Sequence, residues 1–260
     1  MQKAKISRRG FASTAMSLAV GWLGCRRESR SRIGDSHSRE AIRRMRYGVP
    51  LGSSPALGVS DAMVTVVVFS DFLCPTCWES AERVRKLWPS YQGVGRFVFK
   101  HRPRSLKPED TGPALAAEAA HAQGHFWPMH DLLMRAHDRP PSRRDFIHHA
   151  ETCKLKVDEF AQDLDSPKTL ARVADDRALS ERLPVPGTPC YFVNGRRSFA
   201  GPLQDTIASE LGHARSVVQT GVPRASLYRH LTGGSATPVV AGKGYAGEKS
   251  SRDDCCLEEQ

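Results

Sequence analysis

Cys74 and Cys77 stand one helical turn apart in the stretch VVVFSDFLCPTCWES, residues 66–80. Two thiols at this spacing allow three chemistries: a redox dithiol, half of a metal site, or a structural disulfide. The thiolate is the reactive form of cysteine, and free backbone N–H groups and the macrodipole at a helix N-terminus favour it. A helix opening at Pro75 would place Cys74 at that end and Cys77 one turn deeper, less exposed. The pair then reads as an attacking thiol and a resolving thiol.

The remaining sequence weighs against the other two chemistries. Zinc asks for a second cysteine pair or for histidines at ligand spacing. Cys255 and Cys256 are adjacent in a polar tail, and His148, His149 and the HFWPMH stretch show no ligand spacing to a cysteine. No metal and no cofactor is therefore expected. A soft Cu(I) site on the same dithiol, as in an extracytoplasmic copper carrier, stays as the alternative. Of the seven cysteines, Cys25 belongs to the leader, which leaves Cys74, Cys77, Cys153 and Cys190 in the body. That is too sparse for a disulfide-stapled scaffold. Cys190 reads as a small buried strand residue, with a third exchanging thiol as the sharper option.

The dithiol needs elements to hold it. MVTVVVFS, 63–70, is an almost continuous apolar β-branched run, the pattern of a strand covered on both faces. After it, Cys77, Ala81, Val84 and Trp88 recur at helical spacing, with Pro75 suited to the first turn. RFVFKHR, 96–102, alternates as a second strand. From about 112 to 182 the pattern is helical without interruption. Ser142 with Asp145 forms a capping-box signature, and Ser166 precedes Pro167 at another helix start. CYFV, Asn194-Gly195 and RRSFAG make a hairpin, and a last helix runs from Pro202 through Ile207 and Leu211. Strand–helix–strand, a helical block, then hairpin and helix predicts an α/β domain with a helical insertion and a parallel first connection.

The 260 residues carry a formal charge of +10, but residues 1–46 hold 12 Lys/Arg against three acids, which is +9 of it. The body is near neutral, so nucleic-acid binding by the folded part loses its main support. Residues 1–24 combine a basic start with a weakly apolar run of 14, too short to span a bilayer. The outline is an export signal, and SRRGF resembles the twin-arginine address, although Ala12 and Ser13 replace the usual following pair. Cys25 after WLG resembles the cysteine of a lipoprotein cleavage box, which would give a lipid anchor and a cell-envelope or periplasmic location. Residues 25–60, rich in Arg, Ser, Gly and Pro, read as a flexible tether, and 232–260 as a disordered tail.

Three pieces in order carry a family resemblance: FSDFLCPTC, FWPMHDLL and VPGTPCYFVNGRRSFAG. Together they resemble the DsbA-type thiol–disulfide oxidoreductases of the thioredoxin-like superfamily, over roughly 61–231 with the insertion at 112–182. The resemblance implies a thioredoxin-like fold with an inserted α-helical subdomain, in which Cys74 is the nucleophile and Cys77 the resolving thiol. It further implies that Pro189 is a cis-proline and that Thr188 beside the dithiol pairs with an extended substrate. Its partners would be client proteins with cysteines and a redox-recycling partner, for which a membrane-bound protein is one option. Val68 stands where many relatives carry a buried acid, and Asp71 lies three residues before the nucleophile instead. Pro75-Thr76 lacks the histidine of strongly oxidising relatives. His101, at the end of the second strand, reads as structural, with tuning of the site as the sharper option.

Overall fold

The chain is described by a computed structural model covering residues 45–135, 139–199, 202–233 and 238–240. The expected leader, Cys25, Cys255 and Cys256 lie outside the described residues. The first half of the domain runs β1 (Met45–Tyr47), β2 (Ala56–Gly58), β3 (Val64–Ser70), α1 (Pro75–Leu87), a 3₁₀ turn (Trp88–Tyr91) and β4 (Gly95–His101). Five helices follow: α2 (Pro108–Ala122), α3 (Phe126–Leu133), α4 (Arg143–Thr152), α5 (Val157–Leu164) and α6 (Pro167–Arg182). Then come β5 (Cys190–Val193), β6 (Arg196–Ser198), α7 (Leu203–Gln219), α8 (Arg224–Thr232) and β7 (Pro238–Val240).

A five-stranded sheet in the order β2-β4-β3-β5-β6 forms the centre. β3 and β4 are parallel and joined through α1, as the crossover pattern predicts, and the other pairings are antiparallel. All seven residues of β3 are buried, because helices and loops cover both faces. Val64, Val66 and Val68 enter one apolar cluster with Phe72, Phe99 and the inserted helices. Val67 and Phe69 enter the other with Val49, Leu179, Leu183 and Phe192. Alternation of side chains along a strand produces this division.

The Asn194-Gly195 hairpin forms with both residues at positive φ, 46° and 82°. This backbone suits a type I′ turn and the twist of the flanking strands. Asn194 also clamps the turn to the sheet: its Oδ1 accepts from Thr65 N at 2.8 Å and its Nδ2 donates to Met63 O at 3.1 Å.

Two expectations are corrected. The stretch 25–60 reads as tether, yet residues 45–60 belong to the fold. Val49 is 1% exposed, β2 pairs antiparallel with β4, and the Arg46 guanidinium is buried against the Glu210 carboxylate and Asn194 O. Strands of three residues are too short to establish a period, so pattern reading passes over them. Gly58 is required where β2 meets β4: at φ +89° an added Cβ would lie 2.1 Å from Gly95 O. At the other end, β7 pairs with β1 inside the stretch read as tail.

The helical block exists but starts at Pro108 and is broken into separate helices, with Gly124 and Lys154 at positive φ between them. The Ser142–Asp145 capping box and the Ser166 cap form as the sequence signatures predict. Among the described residues no helix is long and apolar enough to cross a membrane.

Candidate active site

β3 ends at Ser70 and a short turn delivers the chain to α1. Asp71 shapes that turn: its Oδ1 accepts from Leu73 N at 2.9 Å, and Cys74 N donates to Asp71 O at 3.2 Å. The Asp71 carboxyl is pushed above its usual range by burial. Cys74 is the N-cap of α1 and Pro75 occupies the first turn. Pro75 donates no hydrogen bond there, where a helix has no partner to offer. Cys77 N donates back to Cys74 O at 2.9 Å.

From the other side comes the loop before β5. The Thr188–Pro189 bond is cis. The Cys74 thiol reaches Thr188 O at 3.5 Å, and Thr76 Oγ1 lies 3.0 Å from the Cys74 sulfur and 3.2 Å from the same carbonyl, so its one proton turns to the sulfur when the thiolate forms. Cys74 and Cys77 thus meet Thr188 and Pro189, more than a hundred positions further along the sequence, where the C-terminal end of β3 faces the entry to β5.

The two thiols occupy different environments. Burial raises the Cys74 pKa, but hydrogen bonds from the Thr188 and Thr76 side chains and from Cys77 outweigh it, and the thiol is lowered overall. The free N–H groups at the start of α1 act in the same direction. Cys77 is 1% exposed, and burial pushes it up to about 12 despite a hydrogen bond to Ser70. One thiol is accessible and ionises easily; the other is hidden and holds its proton. The described cysteines are all free thiols.

Two open grooves meet at Thr188. One, of about 800 Å³, runs between α1 and the β5–β6 hairpin, with Pro189, Tyr191, Phe199 and Leu203 on its apolar wall. Phe199 is 43% exposed there. The other, of about 640 Å³, holds Cys74 itself and is rimmed by Arg102, Arg104, Arg139 and Arg177 against Asp71 and Asp110. The grooves flank the reactive sulfur on either side.

His101 is 1% exposed and its Nε2 lies 3.0 Å from Glu118 Oε1, so it fastens β4 to α2. Cys190 faces away from the dithiol, in the cluster with Phe69 and Phe192, and burial pushes its thiol up to about 12. Cys153 is likewise buried, with its thiol raised by burial. Among the described residues no group of three or more His, Cys, Asp or Glu is arranged to hold a metal. Sequence reasoning passed over Thr76 as a hydrogen-bonding partner of Cys74, although its place inside Cys-Pro-Thr-Cys was the available signal.

A first prediction follows from Thr76. Replacing it with Val removes a hydroxyl from the thiolate and keeps the shape. A hydrogen bond to a charged group contributes about 1.5 kcal/mol, so iodoacetamide labelling of Cys74 at pH 6 should slow by roughly tenfold. Unchanged labelling would show that the helix terminus alone sets the ionisation.

Strand order, the helix opening on Cys74 and the cis-proline loop together define a thioredoxin-like domain. A family model described as Thioredoxin matches residues 51–208, and the chain belongs to that family. Solved structures share the fold. A thioredoxin-like oxidoreductase from Silicibacter pomeroyi DSS-3 is 27% identical with a TM-score of 0.56, covering 64% of this chain and 94% of that one. BdbD from Bacillus subtilis (23% identical, TM-score 0.56, 64% and 97% covered) has the same architecture. So does the thiol-disulfide exchange protein alpha-DsbA2 from Wolbachia pipientis (17% identical, TM-score 0.56, 70% and 94% covered). Among curated relatives, a segment of the Na(+)/H(+) antiporter NhaA 3 of Salinispora tropica is 41% identical over 141 residues, 54% of this chain. The match spans about a fifth, 21%, of that relative's length.

Proposed function

We propose that this chain is an exported thiol–disulfide oxidoreductase that exchanges disulfides with protein cysteines through the Cys74–Cys77 dithiol. The observation that carries the proposal is the contrast between the two thiols: Cys74 accessible at a helix start and lowered, Cys77 buried and raised to about 12. Disulfide exchange needs this division, because a thiolate must attack first and the second thiol must wait until a mixed disulfide exists. Likeness to a solved thioredoxin-like oxidoreductase supports the same chemistry. Thr188 and Pro189 would hold an extended client segment beside Cys74, with the two grooves receiving the chain on either side. Export rests on the basic leader with SRRGF, and a lipid anchor on Cys25. A recycling partner must restore the dithiol after each turnover, since one exchange changes its redox state.

Competitive labelling tests the assignment. In the reduced protein at pH 6 an ordinary thiol is almost wholly protonated, a lowered one carries more thiolate, and a raised one less. Iodoacetamide should therefore modify Cys74 at least a hundredfold faster than Cys77, read by peptide mass spectrometry. Equal labelling, together with stoichiometric Cu(I) uptake by both sulfurs, would turn the reading to a copper carrier. Replacing Arg8 and Arg9 with Lys and fractionating cells tests the export route separately.

A further inference from the structure

The role of Cys77 raises a question that the dithiol alone does not answer. To attack the mixed disulfide on Cys74, the Cys77 thiol must give up a proton, yet it is 1% exposed. Hydroxide from bulk water has poor access to it. A cavity of about 160 Å³ lies against this thiol, and Val68, Ser70, Arg85, His130 and Asp131 also border it. That volume is ample for bridging water.

We propose that His130, oriented by Asp131, is the base that takes the proton from the Cys77 thiol, directly or through one water in this cavity. The inference rests on the dithiol reading above. His130 lies on α3, where its Nδ1 is 3.0 Å from Asp131 Oδ1. A carboxylate at that distance accepts, which places the ring proton on Nδ1 and leaves the Nε2 lone pair free. Nε2 has no hydrogen-bond partner among the described residues, and the His130 side chain borders the cavity that Cys77 also borders. Phe72, Phe99, Phe126 and Trp127 surround the ring at centroid distances of 5.3–5.9 Å and fix its orientation.

The other ionisable groups near His130 do not serve. Asp131, on the same helix, is held low by its bond to His130. From α1, Arg85 only donates. From β4, His101 is engaged at Nε2 by Glu118 of α2, and its Nδ1 is sealed. From β5, the Tyr191 hydroxyl is bonded to Ser80 and pushed up to about 12. Burial in the aromatic cage lowers His130, so the imidazole is neutral at pH 7 and able to accept. Once protonated it faces the Asp131 carboxylate, whose side chain is 48% exposed and offers the proton a way to solvent.

In the step itself, the Cys77 S–H proton passes to His130 Nε2 as the Cys77 sulfur attacks Cys74. The Cys74–Cys77 disulfide forms and the bond from Cys74 to the client sulfur breaks. Cys77 is oxidised from thiol to disulfide, Cys74 stays at the disulfide level, and the client sulfur is reduced and leaves as a thiolate that takes a proton from water. General base catalysis of this kind is worth about 10²–10⁴ in rate.

Glutathione provides a test that needs no protein client. Reduced protein is treated with oxidised glutathione at acidic pH to form the Cys74–glutathione disulfide, and release of glutathione is timed after a jump to higher pH. In His130→Gln, which keeps shape and polarity without a base, release at pH 7 should fall about a hundredfold. Its rate should climb about tenfold per pH unit where the unaltered protein has levelled off. In His130→Ala, added imidazole should restore part of the loss. Formation of the adduct at Cys74 should be unaffected in both variants. A His130→Gln profile that overlays the original, or one lowered by a constant factor at every pH with no imidazole rescue in His130→Ala, overturns the role. If the unaltered protein forms no adduct at Cys74, the dithiol reading itself falls and this role falls with it.

Discussion

Cys77→Ser should convert the protein into a trap. Cys74 would still attack a client disulfide, because the start of α1, Thr188 and Thr76 remain and a serine hydroxyl can take the place of the Cys77 thiol as hydrogen-bond donor. The mixed disulfide would then persist, since the only thiol one turn away has become a hydroxyl. Non-reducing electrophoresis of cell extracts should show high-molecular-weight adducts that collapse on reduction. Cys74→Ser should show none, and should lower insulin-reduction or refolding activity by at least a thousandfold, as expected for loss of a covalent nucleophile. Absence of adducts from Cys77→Ser, with activity retained in Cys74→Ser, would remove the proposed division of labour.

The second large effect is on stability. Lys100 and Asp176 form an ion pair at 2.9 Å between β4 and α6, with both side chains 6% exposed. The second Asp176 oxygen accepts from His101 N at 3.1 Å, so one carboxylate satisfies a buried ammonium and a backbone N–H next to the site. Asp176→Ala leaves that ammonium buried and unpaired, which costs about 3–5 kcal/mol, a large share of the 5–15 kcal/mol typical of a folded domain. Urea unfolding should show the midpoint falling in proportion at constant slope. Replacing both partners, as Lys100→Met with Asp176→Leu, should recover most of the loss because no charge is stranded. A single-variant loss below about 1 kcal/mol would mean that water reaches the pair. The same pair anchors the end of β4, where Arg102 N donates to Ser70 O at 2.9 Å, just before the turn that leads to Cys74.

The dithiol, its helix and the hairpin were legible because each depends on local chemistry. A cysteine before a proline and an amphipathic run, a β-branched strand, and Asn-Gly between two strands act over a few residues. β1, β2 and β7 were not legible: three residues carry no period, and what makes them strands is the partner edge they cover. The charge of Arg46 was counted with a solvated leader, although it is a buried partner of Glu210, 164 positions away. Sequence distance hides such pairs, since composition records a charge and not its neighbour.

Periodicity and turn residues in the sequence itself determined the order of the central elements and the parallel crossover, and the resemblance carried by FSDFLCPTC, FWPMHDLL and VPGTPCYFVNGRRSFAG pointed to the class of chemistry. The helix start already separated the two thiols by depth, but only the tertiary structure supplied the groups that set them apart. Cys74 and Cys77 sit in one short motif, yet their opposed ionisation comes from groups folded against them: Thr188 beside one, and an apolar interior around the other. The cavity that both His130 and Cys77 border belongs to the same category. It exists because α3 of the insertion packs over β3, β4 and α1, and a proton-transfer geometry is a relation among side chains that no single segment contains.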